Sequence, residues 1–230
     1  MVVRKVSVRK PASRTLPENA QERILAASRL EFIAKGFAGA RMQAIAKGAG
    51  VNHALLHYYF GSKEKLYEAA VKDKIRIIWG GARAELESVA GQSFENLLTA
   101  LLKLHARNLS RHPEFVLFLL RDVGEGRGIP VGIAELFRTF GEVPRRIQEA
   151  LAAEIKAGRL RPIEPVHFWL NLTGMVVSGF LASQVLKHLG AAAPFPRPEF
   201  SERFFLERAE VVAKTMVNSL RPDAEPRGHA

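Results

Sequence analysis

Residues 36–66 read GFAGARMQAIAKGAGVNHALLHYYFGSKEKL. Two short helical stretches lie here, Arg41 to Lys47 and His53 to Tyr59. Gly48 and Gly50 close the first, and Gly61-Ser62 closes the second. Asn52 suits the cap of the second, because its side-chain oxygen can accept from backbone N–H groups that the first turn leaves free. Two short helices about a tight glycine turn predict a helix-turn-helix, here about 41–60. Three positions support it. Ala46 puts a small side chain mid-helix, where the second helix can cross closely. Gly50, four residues on, suits a left-handed turn. Leu56, six further, faces inward, and Ile45 and Val51 complete a small core with Phe32 and Phe37.

Reading outward, the chain is helix after helix, with no convincing run of alternating residues between Pro17 and Leu220. Glu18 to Lys35 is amphipathic, with Ile24, Ala27, Ser28 and Phe32 on one face, and Gly36 ends it. Downstream, Ser62 caps a long helix to about Val89, with Gly80-Gly81 as a weak point. Four helices then follow: Ser93 to about Arg111, Pro113 to near Gly124, Val131 to Lys156 with a kink at Pro144, and His167 to Leu189. Glu199 to Leu220 closes the series. The fold class is therefore all-α: an N-terminal three-helix helix-turn-helix domain followed by a six-helix bundle. The predicted organisation is a disordered basic tail over 1–16, the helix-turn-helix domain over 17–65, the bundle over 66–220, and a disordered tail over 221–230.

Charge singles out the same end of the chain. Among 230 residues, 34 Lys+Arg against 23 Asp+Glu leave a net charge of +11. Residues 1–65 hold 12 basic and 4 acidic side chains, a surplus of eight, and the rest of the chain holds a surplus of only three. A surplus placed this way suits a polyanion, either nucleic acid or an anionic membrane surface. No apolar stretch follows the N-terminal charges, which argues against a secretory signal. With no cysteine, disulfides, thiolate nucleophiles and cysteine-ligated metals are excluded, and the composition fits a reducing cytoplasm. No nucleophile elbow, paired-carboxylate motif or HExxH is present, so nothing points to an enzyme or a cofactor. The outer face of the second short helix carries His53, Ala54, His57 and Tyr58, with Leu55 partly outward and no acid. These residue types can donate to phosphates and bases or touch a thymine methyl. His53 and His57 also have an i, i+4 metal-ligand spacing, but no third ligand accompanies them, and no metal is expected. Pro165 to Leu186 carries no Lys, Arg, Asp or Glu and matches a bilayer span in length. Its His167, Asn171, Thr173, Ser178, Ser183 and Gln184 favour a helix buried in a bundle or dimer seam, with no membrane partner.

Gly36-Phe37, Ile45-Ala46, Ala49-Gly50-Val51, Leu56, Tyr59-Phe60 and Gly61-Ser62-Lys63-Glu64-Lys65-Leu66 together resemble the DNA-binding domain of TetR-like (tetracycline-repressor-like) transcriptional regulators. The resemblance covers Asn19 to Ala70 without gaps, and the rest resembles the family in length and helical layout. It implies that Gln43 and the helix start at His53, Ala54 and Leu55 face bases. It also implies that His57, Tyr59 and Lys63 meet phosphates, with Tyr58 on the same outer face. Ala40 and Arg41 stand where the family often has Thr or Ser; Ala40 cannot cap, and Arg41 can reach phosphate instead. Glu31 stands where a leucine is frequent, which suggests a local shift of the helix face.

The same resemblance implies a homodimer through 167–189 and 200–220, double-stranded DNA with a palindromic operator as partner, and an unknown small-molecule effector that releases a repressor. His105, Phe118, Arg121, Asp122, Trp169, Asn171 and Met175 are the candidates for that effector's cavity. Two alternatives stay open at this stage. One is a regulator without a small ligand, acting as an activator or through a partner protein. The other is a basic membrane-surface protein.

Overall fold

A computed structural model describes residues 20–89, 91–126, 129–189 and 199–222. The basic tail expected over 1–16 and all but two residues of the tail expected over 221–230 lie outside the described residues. Among those described, all regular structure is helical. The helices are α1 (Ala20–Gly39), α2 (Met42–Ala49), α3 (His53–Phe60), α4 (Lys63–Trp79), α5 (Ala82–Glu87), α6 (Phe94–Arg111), α7 (Pro113–Gly124), α8 (Ile129–Phe140), α9 (Val143–Lys156), α10 (Pro165–Leu189) and α11 (Glu202–Leu220). The chain divides into two compact units between Ala70 and Val71, a division that falls within α4.

In unit 1, α1 is helical up to Gly36, whose φ of 69° and ψ of 177° interrupt it. L side chains rarely adopt that backbone conformation, so glycine fits the break. Ile24, Ser28 and Phe32 are buried on one stripe, and Ser28 Oγ donates back to the Ile24 carbonyl at 2.7 Å. Phe32 and Phe37 both meet the ring of Tyr67 edge-on, at 5.2 and 5.3 Å. This small aromatic core fixes α1 against α4's first turns within the unit.

Unit 2 is built around α6, with α11 packed along it. Leu98, Leu101 and Leu102 of α6 and Val212, Ala213 and Met216 of α11 are all buried. Arg111 forks onto Glu202 with two bonds of 2.7 Å. A two-pronged pair of this kind fixes orientation as well as adding attraction. Glu135 of α8 is buried, 3% exposed, and takes Arg76 of α4 at 3.1 Å and Arg138 at 2.8 Å on separate oxygens. Two of the six helices expected here are interrupted. The first breaks at Gly80-Gly81, the expected weak point: a Cβ on Gly80 would lie 2.6 Å from the Arg76 carbonyl. The fourth ends at Phe140, because Gly141 takes a positive φ of 55°. Pro144 therefore starts α9 instead of kinking a longer helix, and at that place its missing N–H costs nothing.

One helix, α10, is long and apolar enough over Pro165–Lys187 to cross a membrane by length and composition alone. Only 22% of that stretch is buried in the chain. Phe168, Leu172, Val176, Phe180 and Ser183 form the buried stripe, at intervals of three and four residues. Up to Leu186 the remaining faces carry no Lys, Arg, Asp or Glu and are half-buried or exposed.

Candidate nucleic-acid interface

The helix-turn-helix is pinned at every end. At the turn, Gly50 adopts φ 63° and ψ 38°, and its N–H and that of Val51 close onto α2's last carbonyls. Asn52 then caps α3, its Oδ1 accepting from the Leu55 N–H at 3.2 Å. Ala46, Ala49 and Leu56 are buried between the two helices, with Leu56 fully so. Ser62 caps α4 by accepting from the Lys65 N–H at 3.3 Å.

The start of α2 is held in an unexpected way. Arg41 is its N-cap and makes no side-chain cap bond. In its place, the Glu31 carboxylate reaches over from α1 and accepts the Arg41 backbone N–H at 3.2 Å, while also taking the Lys35 ammonium at 2.9 Å. An anion at this end of a helix opposes the partial positive charge of the helix dipole. The Lys35 hydrogen bond, helped by the Arg41 N–H and opposed by burial, holds the Glu31 carboxyl below its ordinary value. This corrects the expected face shift. The inward stripe of α1 keeps its register, Glu31 turns to serve α2, and Leu30 is left 73% exposed.

The outer face of α3 presents His53, Ala54, His57 and Tyr58 exposed, with Leu55 and Tyr59 half-buried. Arg41 and Gln43 are exposed at the start of α2. The imidazoles of His53 and His57 meet edge-on at 4.8 Å. His57 Nδ1 lies 2.9 Å from the Gly61 carbonyl, which can only accept, so Nδ1 carries the hydrogen. Its Nε2 then accepts when the ring is neutral and donates only as imidazolium. The Lys63 ammonium is half-buried, 4.9 Å over the Phe37 ring and 3.4 Å from the Ala38 carbonyl. Among the described residues, no group of three His, Cys, Asp or Glu could hold a metal.

Unit 2 contains two apolar cavities, of about 270 Å³ and 580 Å³, that share Leu101, His105, Leu136, Trp169 and Thr173 in their walls. Burial pushes the His105 imidazole below its ordinary value, only partly offset by a bond to the Leu101 carbonyl at 3.1 Å. His105 also stacks on Phe140 and lies against Trp79. Of the seven candidates for an effector site, His105 and Trp169 line these walls. Phe118, Arg121, Asp122, Asn171 and Met175 do not. Arg121 and Asn171 are exposed, Phe118 and Asp122 are buried on α7, and Met175 is half-buried outside both walls.

A family model described as bacterial regulatory proteins of the tetR family matches residues 24–70. The HTH-type transcriptional regulator RutR of Escherichia coli is 29% identical over 205 residues, covering 86% of this chain and 89% of that protein. The helix-turn-helix unit, over residues 24–70, belongs to the tetR family. The chain is a helix-turn-helix regulator of transcription and not an enzyme. The HTH-type transcriptional repressor NicS of Pseudomonas putida is 36% identical over 120 residues, about half of each chain (52% and 53%). In fold, the chain is similar to FadR of Bacillus subtilis, solved in complex with stearoyl-CoA. That match has a TM-score of 0.60 at 13% identity, over 87% of this chain and 99% of that one.

Some residues that build these sites escape sequence reading. Glu31 reads in the sequence only as a departure from the family pattern; its partner, Arg41, lies ten residues on, at the cap of the next helix. Asn108, His112 and Thr173 line the first cavity, and nothing in their local sequence separates them from other polar residues on a helix. The interface itself is legible in the basic surplus of residues 1–65, the glycine turn and the absence of acids from α3's outer face.

Proposed function

We propose that the chain binds double-stranded DNA as a homodimer, represses transcription from a palindromic operator, and is released when a small, largely apolar ligand occupies unit 2. The observation that carries the DNA reading is the exposed, acid-free outer face of α3 on a helix-turn-helix whose helix ends are all fixed. Gln43, His53, Ala54 and Leu55 read base edges, with Tyr58 beside them. Arg41, His57, Tyr59 and Lys63 meet phosphates, Lys63 by swinging off the Phe37 ring. Phosphate contacts set the position, and base contacts set the sequence.

Dimer formation is supported by the outer side of α10, which carries no Lys, Arg, Asp or Glu up to Leu186, and by exposed Val211 on its neighbour α11. Leu170, Val185 and Val211 are exposed by 61%, 58% and 55%. A second copy packing there removes this apolar surface from water. A two-fold pair places two copies of α3 one DNA turn apart, about 34 Å, or a multiple of it. Release follows if the ligand favours a dimer geometry that misplaces this spacing. The ligand reading is supported by Bacillus subtilis FadR, similar in fold, whose own structure is a complex with stearoyl-CoA. In the cell this places the protein with DNA in the cytoplasm.

Selection of genomic fragments bound by the purified chain, followed by a salt series on the recovered duplex, tests the reading. Affinity falls steeply with salt, because each phosphate neutralised releases counterions. An affinity unchanged across salt, or no enriched fragment, overturns it. Co-sedimentation with anionic liposomes in place of duplex binding would favour a membrane surface.

A further inference from the structure

The walls of the unit 2 cavities say something about the charge of their occupant. Among the described lining residues there is no aspartate, glutamate, lysine or arginine. An ion drawn in among the buried lining residues would lose its hydration with no counter-charge in the wall, which costs far more than burying a neutral group. The two lining imidazoles do not supply one. Desolvation pushes His105 down, and its Nδ1–H is donated to the Leu101 carbonyl, leaving Nε2 as an acceptor. His112 is pushed down first by desolvation and then by the Lys74 ammonium.

One buried donor in the wall is left over. Asn108 of α6 is 8% exposed, and its Nδ2 is buried with no hydrogen-bond partner among the described residues. A buried N–H without an acceptor is costly and uncommon in native proteins. The first cavity, which Asn108 lines, is otherwise apolar and adjoins the second through shared wall residues. Together their volumes fall in the range that holds drug-sized molecules, roughly 300–1,000 Å³. We propose, on the reading that unit 2 holds a small ligand, that this ligand is an electrically neutral, mostly apolar molecule bearing a carbonyl-type acceptor that takes the Asn108 side-chain N–H. Ketones, esters and lactones have this chemistry; free carboxylates, phosphates and amines do not.

The chain carries its own reporter. It has two tryptophans; Trp79 lines the first cavity and Trp169 lines both. Four probes of one chain length are titrated against the unaltered full-length protein while tryptophan emission is followed: methyl octyl ketone, decane, decanoate and decylammonium. The measurement is made at about pH 8, where the acid and the amine are both charged. The ketone is expected to bind roughly ten-fold more tightly than decane, the worth of one hydrogen bond. It is expected to bind on the order of 100-fold more tightly than either ion. Asn108→Leu removes the ketone's advantage over decane and leaves decane binding in place. Decanoate or decylammonium binding as tightly as the ketone overturns the neutral class, while leaving a ligand-holding cavity. No response to any probe overturns both this proposal and the ligand reading. An unchanged preference for ketone over decane in a folded Asn108→Leu chain overturns the role of Asn108. The four-probe comparison does not depend on that variant folding.

Discussion

Removing the Glu31 carboxylate tests how the DNA-facing helices are held. The side chain is 14% exposed, 3.2 Å from the Arg41 N–H and 2.9 Å from the Lys35 ammonium. Glu31→Ala leaves the exposed Arg41 N–H to water, so no desolvated orphan remains. The loss is then that of a cap-like bond, about 1 kcal/mol. A few tenths more come from the dipole and the i, i+4 pair. The expected destabilisation of unit 1 is about 1.5 kcal/mol. Glu31→Gln keeps an acceptor without the charge and should cost roughly half as much. Arg41 already has the extended N-cap backbone, φ −115° and ψ 126°. Arg41→Thr therefore places a capping hydroxyl correctly, and in the Glu31→Ala background it should return about 1 kcal/mol. Urea unfolding followed by circular dichroism measures each corner of this cycle. Tyrosine emission separates the units, since Tyr58, Tyr59 and Tyr67 all lie in unit 1. The pH dependence has a fixed sign. A carboxyl held below its ordinary value stabilises fully above the unfolded pKa, about 4.3, and loses that contribution as pH falls through the folded value. The gap between the parent chain and Glu31→Ala should be flat near neutrality and shrink in acid. A Glu31→Ala chain within about 0.3 kcal/mol of the parent, below the range for losing a cap, or a gap that widens in acid, refutes the reasoning.

Lys63→Ala should weaken binding to all duplexes alike and flatten the salt slope by about one unit per subunit. Gln43→Ala should instead relax preference at one base pair by roughly 1–3 kcal/mol, read by competition among operator variants. Val185→Glu or Val211→Glu places a charge in the proposed seam; light scattering should show a shift to monomer, with loss of operator binding. Glu135→Ala removes a carboxylate whose two arginine partners are themselves mostly exposed, 61% and 66%. Its cost should be about 1–3 kcal/mol in urea unfolding followed by tryptophan emission, below the full penalty of stranding a buried charge.

What could be read from the sequence follows from how far apart the cooperating residues lie. The turn at Gly50, the Asn52 cap and the inward Leu56 fall within seven residues, and each carries its own local signature. Helix breaks were harder to place. Pro144 drew attention as a breaker, yet the chain ends α8 at Gly141, where the backbone needs a positive φ. The cavity was the least legible, because its walls come from α4, α6, α7, α8, α9 and α10. Arg121 and Asp122, candidates for the cavity, are charged residues on the mostly apolar α7. Which way a helix is turned decides whether such a residue meets a cavity, and periodicity alone cannot tell a cavity wall from solid core. Asn108 carried no signal of its own, since its interest lies in what it fails to touch.

The helix α10 serves two surfaces at once. Trp169, Thr173 and Val176 close the first cavity, while Val185 on the same helix is exposed outside both cavity walls. A molecule filling the cavity and a second copy seated outside would press on one rod from two sides. Effector affinity measured on dilute protein would then differ from that measured at high protein concentration, because each binding event shifts the other by mass action. A cell could tune its response to the effector simply by changing how many copies of the regulator it makes.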